Sequence, residues 1–146
     1  EMAKRISGAL EKEVNEALKL INADFEFTID LSGARFLMGW NRDGKVIPFK
    51  TINSAHFVLF IVPFLAVILN RMGRIREREG LATLKVLCIE AESMTAANLS
   101  ALLKGLSLMK AKGYLDNVLV AHYSSIRDPE KLHGFKEHIL TEEGEE

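Results

Sequence analysis

The chain has 146 residues, 48% of them hydrophobic, and its 19 basic and 20 acidic side chains leave a net charge of -1. That size suits one domain with an ordinary core, and so even a charge excludes a general electrostatic pull toward nucleic acid or anionic membrane, so any such contact has to be local. The lone Cys88 excludes an internal disulfide framework and suits a reducing, cytoplasmic setting.

From the N-terminus, Ala3, Leu10 and Ala17 interleave with Val14 and Ile21 at helical spacing, with charged residues between them. Residues 1–22 are therefore predicted to hold an amphipathic helix, of the kind that ends a longer coiled coil. No signal-peptide order of basic, apolar and small residues is present, and Glu1 ahead of Met2 points to an excised piece. Asp24 to Leu31 alternates Phe25, Phe27, Ile29 and Leu31 with polar residues, the period of a strand with one buried face. The turn signals Ser32-Gly33 and Asn41-Arg42-Asp43-Gly44 flank a second strand, Arg35 to Trp40, and Lys45 to Phe49 returns as a third. The three make an antiparallel meander.

Ala55 to Leu69 carries almost nothing polar except His56. It is shorter than the roughly 20 residues needed to cross a bilayer and Pro63 interrupts it, so a buried core helix is expected and no membrane partner. Asn70, Arg71, Arg74, Arg76 and Arg78 then fit a membrane anchor's flank or a buried helix emerging at the surface, and the four arginines, with Glu77 and Glu79 among them, also read as a solvated loop or as a DNA-backbone contact.

Leu84 to Ile89 is a bare hydrophobic run, which predicts a central strand covered on both faces with Cys88 as a buried, inert thiol. It ends in Glu90 and Glu92. Thr95 suits the cap of a helix whose Leu99, Leu102, Leu103, Leu106 and Met109 form one stripe and which Gly113 closes. Val118 to Ala121 is the next strand, ending at His122. A right-handed parallel crossover would bring Glu90 and His122 to the same carboxyl edge. Pro129 and Gly134 bracket a short helix or turn, Phe135 to Leu140 is expected as a last edge strand, and Glu142 to Glu146 is an acidic tail. The expected class is α/β, with a helix over 1–22, one domain over 23–141 and a frayed tail over 142–146.

This order resembles the C-terminal lobe of ABC-type ATPase heads, most closely those of the SMC, RecN and SbcC type, in which a coiled coil separates two lobes. The resemblance runs from about Ala9 to His122. In such heads a signature of the form LSxGE opens the long helix; here Ile52-Asn53-Ser54-Ala55-His56 lacks its glycine and glutamate. The Walker B strand of the family ends in Asp-Glu, whereas Ile89-Glu90-Ala91-Glu92 has one acid shifted or replaced. Ser93 to Asn98 lies where the D-loop would be, and His122 matches the switch histidine.

The resemblance implies a catalytic set of Glu90, Glu92 and His122, with Glu90 holding magnesium through water. It implies that Asn53, Ser54, Ala55 and His56 meet, in trans, the nucleotide held by a second head. Mg-ATP would be the cofactor of the complete head only, because no GxxxxGK[ST] loop is present to cradle phosphates. The implied partners are an N-terminal phosphate-loop lobe, a second head or homo-oligomer, and DNA in repair or chromosome handling. Read without the resemblance, Glu90 and Glu92 suit solvated strand-end acids, His122 a structural hydrogen bonder, and Asn53 and Ser54 an ordinary helix cap. His133 and His138 have no metal-ligand spacing with any cysteine. Two alternatives stand beside the head: a non-catalytic interaction module that dimerises through its apolar helix, and a self-contained hydrolase built on Glu90, Glu92 and His122, for which no nucleophile or oxyanion donor is identifiable.

Overall fold

Helix α1 spans Met2–Leu20 and buries Val14, Ala17 and Leu18 along one stripe, as the 3.6-residue period requires. The computed structural model describes residues 2–21, 26–31, 37–49, 54–92, 94–123, 126 and 128–138, apart from the side chains of Leu37, Arg42, Ser54 and Ala55. Strands β1 (Glu26–Asp30), β2 (Leu37–Arg42) and β3 (Lys45–Pro48) form an antiparallel sheet in that order. Asp43 and Gly44 take positive φ, 53° and 75°, between the paired Arg42 and Lys45; this is the two-residue turn whose twist matches the flanking strands. The expected Ser32-Gly33 turn and the acidic tail lie outside the described residues.

The free edge of β1 is covered by α1. Asn15 Nδ2 donates to the Phe27 carbonyl at 3.0 Å while its Oδ1 accepts from the Phe27 N–H at 2.7 Å. Glu11 Oε1 accepts from Thr28 Oγ1 at 3.1 Å and from the Ile29 N–H. Helix side chains thus satisfy backbone groups that would otherwise be open to pairing with another chain. Phe27 is buried, and its ring lies 5.6 Å from that of Phe60, which in turn lies 4.2 Å from that of Phe49 at a tilt of 30°.

Helix α2 runs unbroken from Ser54 to Arg78 with Pro63 inside it. The expected interruption at Pro63 does not occur, because Phe60, Val62, Ala66 and Val67 on either side are all buried. Packing of that face outweighs the roughly 3 kcal/mol that a helix-interior proline costs. The arginines lie on the last turns of α2, as expected of a buried helix emerging at the surface, and not in a loop. Arg71 Nε and Arg74 Nη2 both donate to Glu13 Oε2, at 2.9 and 3.2 Å, and join α2 to α1. By length and composition α2 could cross a membrane, and 33% of its apolar window is buried in the domain.

Strands β4 (Val86–Glu90) and β5 (Asn117–Ala121) pair in parallel from Val86 beside Asn117 to Glu90 beside Ala121. Helix α3 (Ala96–Ala111) connects them, with Thr95 Oγ1 accepting from the Asn98 N–H at 3.3 Å as its cap. Leu99, Leu102, Leu103, Leu106 and Met109 are all buried, and Gly113 turns the chain at φ 79°. Just ahead of the first pair, the Lys85 N–H donates to Asp116 Oδ2 at 2.7 Å and its carbonyl accepts from the Asp116 N–H at 2.8 Å, which pins the register.

The molecule is a mixed α/β protein in which the meander and α2 precede the parallel β4–α3–β5 unit. Two expectations fail here. β4 is not covered on both faces: Leu87 and Ile89 are buried while Val86, Cys88 and Glu90 are exposed. Among the described residues β5 is its only strand partner, and Cys88, on the face that carries Val86 and Glu90, is exposed and not an interior thiol. Nor is Phe135–His138 a strand. A 3-10 turn over Pro129–Leu132, then His133 and Gly134 at φ 50° and 89°, bends the chain so that Glu137 reaches back to the Ile126 N–H at 3.5 Å.

Candidate functional site

Parallel pairing makes the carboxyl ends of β4 and β5 neighbours. Glu90 is the last residue of β4 and sits beside Ala121, the last of β5. One further hydrogen bond, from the Ala91 N–H to the Ala121 carbonyl at 2.8 Å, carries the ladder past both strand ends. Glu90, Glu92 and His122 therefore leave the sheet at one edge, as the strand order predicts.

Their side chains do not share a face. Along β4 the buried positions are Leu87 and Ile89, followed by Ala91, so Glu90 and Glu92 point with Val86 and Cys88 to the exposed side. His122 follows the opposite phase and is half-buried. Its Nε2 lies 3.7 Å from Glu137 Oε1, while Nδ1 is buried with no hydrogen-bond partner among the described residues. Glu92 Oε1 accepts from Tyr123 Oη at 3.4 Å. Tyr123 and Glu137 are thus part of this edge, and reading of the sequence missed both. Tyr123 follows His122 directly, which is a usable signal; Glu137 has none, because it lies in the stretch expected as a strand.

The signature-like residues stand at the start of α2. Asn53 lies outside the described residues, Ser54 and Ala55 form the first helical positions, and His56 is exposed with its ring edge-on to Trp40 at 6.3 Å. Among the described residues no cluster of three or more His, Cys, Asp or Glu side chains is gathered for a metal. Glu90 ends β4 as an exposed carboxylate, so it could contribute an oxygen ligand to a cation at this edge.

Ser100 and His133 form a further polar pair, Oγ to Nε2, at 3.2 Å. The Ser100 hydroxyl donates to the Lys131 carbonyl at 3.1 Å, so His133 donates to Oγ and does not draw a proton from it. This is the wrong polarity for a base-activated nucleophile, and it joins α3 to the 3-10 turn instead. A shallow groove of about 280 Å³ between α1 and β1 shares no lining residue with the strand-end edge. No protein-family model matches the chain, and no curated protein matches it in sequence.

Proposed function

We propose that the chain is the C-terminal lobe of an ATP-gated head of the SMC, RecN and SbcC type, acting in DNA repair or chromosome handling. It requires a separate phosphate-loop lobe for ATP binding and hydrolysis, and pairs with a second head. The observation that carries this reading is the parallel β4–α3–β5 unit, whose register ends both strands together and sends Glu90, Glu92 and His122 from one edge. The open face of the β4–β5 pair supports it further. Parallel strands are normally covered on both sides, and Val86, Cys88 and Leu119 stand exposed where a second lobe would lie.

In that head, Glu90 would hold the metal through water, and Glu92, fixed by Tyr123, would orient the attacking water. His122 leaves the same edge on the other face, its Nδ1 buried and its Nε2 beside Glu137, and would have to turn away from Glu137 to hold a hydrogen bond near the terminal phosphate. Bound Mg²⁺ would neutralise the phosphate charge. Ser54, Ala55 and His56 open a 25-residue helix whose N-terminus favours an anion. A second reading, a non-catalytic module of the same architecture, is favoured by Ala91, which separates the two acids where the family has them adjacent.

The two readings part in a titration of the chain with a fluorescent ATP analogue and magnesium, alone and joined to a phosphate-loop lobe. The proposal expects no micromolar binding alone, because the missing loop carries most of the affinity, and binding once the lobe is supplied. Binding and turnover by the chain alone would overturn it, and no binding in either state would leave the non-catalytic module.

A further inference from the structure

Beyond β5 the chain comes back across the end of its own sheet. Ile126 is buried, Asp128 Oδ1 accepts from the Glu130 N–H at 3.1 Å to open the 3-10 turn, and Leu132 and Phe135 pack on the core. Ser100, in the first turns of α3, holds that turn by donating to the Lys131 carbonyl at 3.1 Å. Residues 126 and 128–138 thus form a strap, and its last fastening is Glu137. The Glu137 Oε1 accepts from the Ile126 N–H at 3.5 Å and stands 3.7 Å from His122 Nε2.

This fastening is a weak one. Ordinary N–H···O bonds span about 2.7–3.2 Å, so Glu137 meets both groups at a distance beyond that range. The His122 ring is poorly served as well. Its side chain is only 16% exposed, and its Nδ1 is buried with no hydrogen-bond partner among the described residues. Buried polar atoms are normally paired, and one that is not is kept in place by what surrounds it and not by its own bonds. The sheet does not fix this ring, because His122 lies one residue past the last paired position of β5. What stands against its Nε2 is the strap's Glu137.

We propose that the strap is autoinhibitory: Glu137 keeps the His122 imidazole off the strand-end edge, and its release lets the ring join Glu90 and Glu92. The inference rests on the head reading given above and supplies the regulation of that site. Glu90 and Glu92 already point to the exposed side, and Tyr123 holds Glu92 there, so the imidazole alone has to move. The releasing ligand is a phosphate. A terminal phosphate offers the Nε2–H three strong acceptor oxygens and more negative charge than one carboxylate. Without nucleotide, Glu137 takes the anion's place beside the donor that the phosphate needs.

The first arm of the test needs no ATP. Histidine modification by diethylpyrocarbonate, mapped by mass spectrometry, is followed on the native chain and on Glu137→Ala, with the exposed His56 as reference. His122 is expected to react slowly in the native chain and about 5-fold faster in the variant, the population change that loss of one weak polar contact gives. An unchanged rate in a variant that is folded by circular dichroism overturns the strap. Ser100→Ala loosens the same strap from α3 and should act in the same direction, which keeps the test decisive if Glu137→Ala misfolds. The second arm is ATP turnover by the chain joined to a phosphate-loop lobe. Glu137→Ala is expected to raise turnover by about the same 5-fold factor, and the gain should vanish in a His122→Ala background, which a merely structural role of Glu137 would not produce. A slower Glu137→Ala protein, or a gain that persists without His122, overturns the proposal. Faster modification of His122 with both joined proteins silent refutes the head reading and leaves the strap standing as the restraint on His122.

Discussion

The same substitution, glycine to alanine in a helix, should change stability in opposite directions at two positions. Gly8 lies in exposed α1, and a Cβ added there would meet nothing within 4 Å. Alanine should gain the helix-propensity difference, about 0.5–1 kcal/mol, with nothing to offset it. Gly105 is buried in α3, where α1 ends against it, and a Cβ there would fall 2.5 Å from Ile21 Cγ1 and 3.2 Å from Ile21 Cα. Ordinary carbon contacts are about 3.5–4 Å. Because a backbone atom is involved, rotation of the Ile21 side chain cannot relieve the clash alone, and the end of α1 must retreat from α3. Overpacking of this kind costs about 1–3 kcal/mol, so after the propensity gain Gly105→Ala should be destabilising by about 1 kcal/mol. The two variants should then differ by about 2 kcal/mol, or roughly 4–8 °C in midpoint for a chain of this size. Urea denaturation followed by circular dichroism and by the fluorescence of Trp40 reads the difference. If Gly105→Ala raised the midpoint as much as Gly8→Ala does, the close approach of α1 to α3 would be wrong.

Three further outcomes follow from the packing. Asn15→Ala removes both bonds to Phe27 and leaves backbone groups of an edge strand unpaired, and should cost about 1–3 kcal/mol in the same denaturation assay; a loss below about 0.5 kcal/mol would count against the clamp. Burial pushes the Glu13 carboxyl up, but the Arg71 hydrogen bond and charge, with Arg74, outweigh it and hold it below its ordinary 4.5. A depressed folded value stabilises above the unfolded one and is lost as pH falls through the folded value, so native stability should drop below about pH 4.5 more steeply than that of Glu13→Gln; parallel profiles would remove the pair from the account. Cys88 is exposed on the open sheet face, so a thiol reagent such as Ellman's should modify it in the native protein without denaturant, and protection until unfolding would contradict the open face.

Much of the fold was legible because its signals are local. The alternation around Phe27, the Asp43-Gly44 turn, the Thr95 cap and the α3 stripe each depend on neighbours a few residues away, and each is present. What failed depends on distant or missing neighbours. The run Leu84 to Ile89 states that a strand is apolar but not that both faces are covered within this chain, so Cys88 was misplaced. The sequence left the arginines of α2 open between helix end and loop because their partner, Glu13, is 58 positions from Arg71. Pro63 read as a break because the burial that keeps α2 continuous comes from other elements. At the site, strand order alone brought Glu90 and His122 to one edge, whereas the faces they take and the Glu92–Tyr123 contact follow from the β4–β5 register, and the Glu137 contact from the chain turning back after β5.

The most direct test of the proposed head is steady-state ATP hydrolysis by the chain joined to a phosphate-loop lobe of the SMC type, compared with Glu90→Gln/Glu92→Gln and with His122→Ala. The proposal predicts turnover by the joined protein, none by the chain alone, and a loss of about 100-fold or more in each variant, the usual contribution of a positioned acid or base. Turnover that survives both variants, or that the chain sustains by itself, would contradict the assignment of this edge.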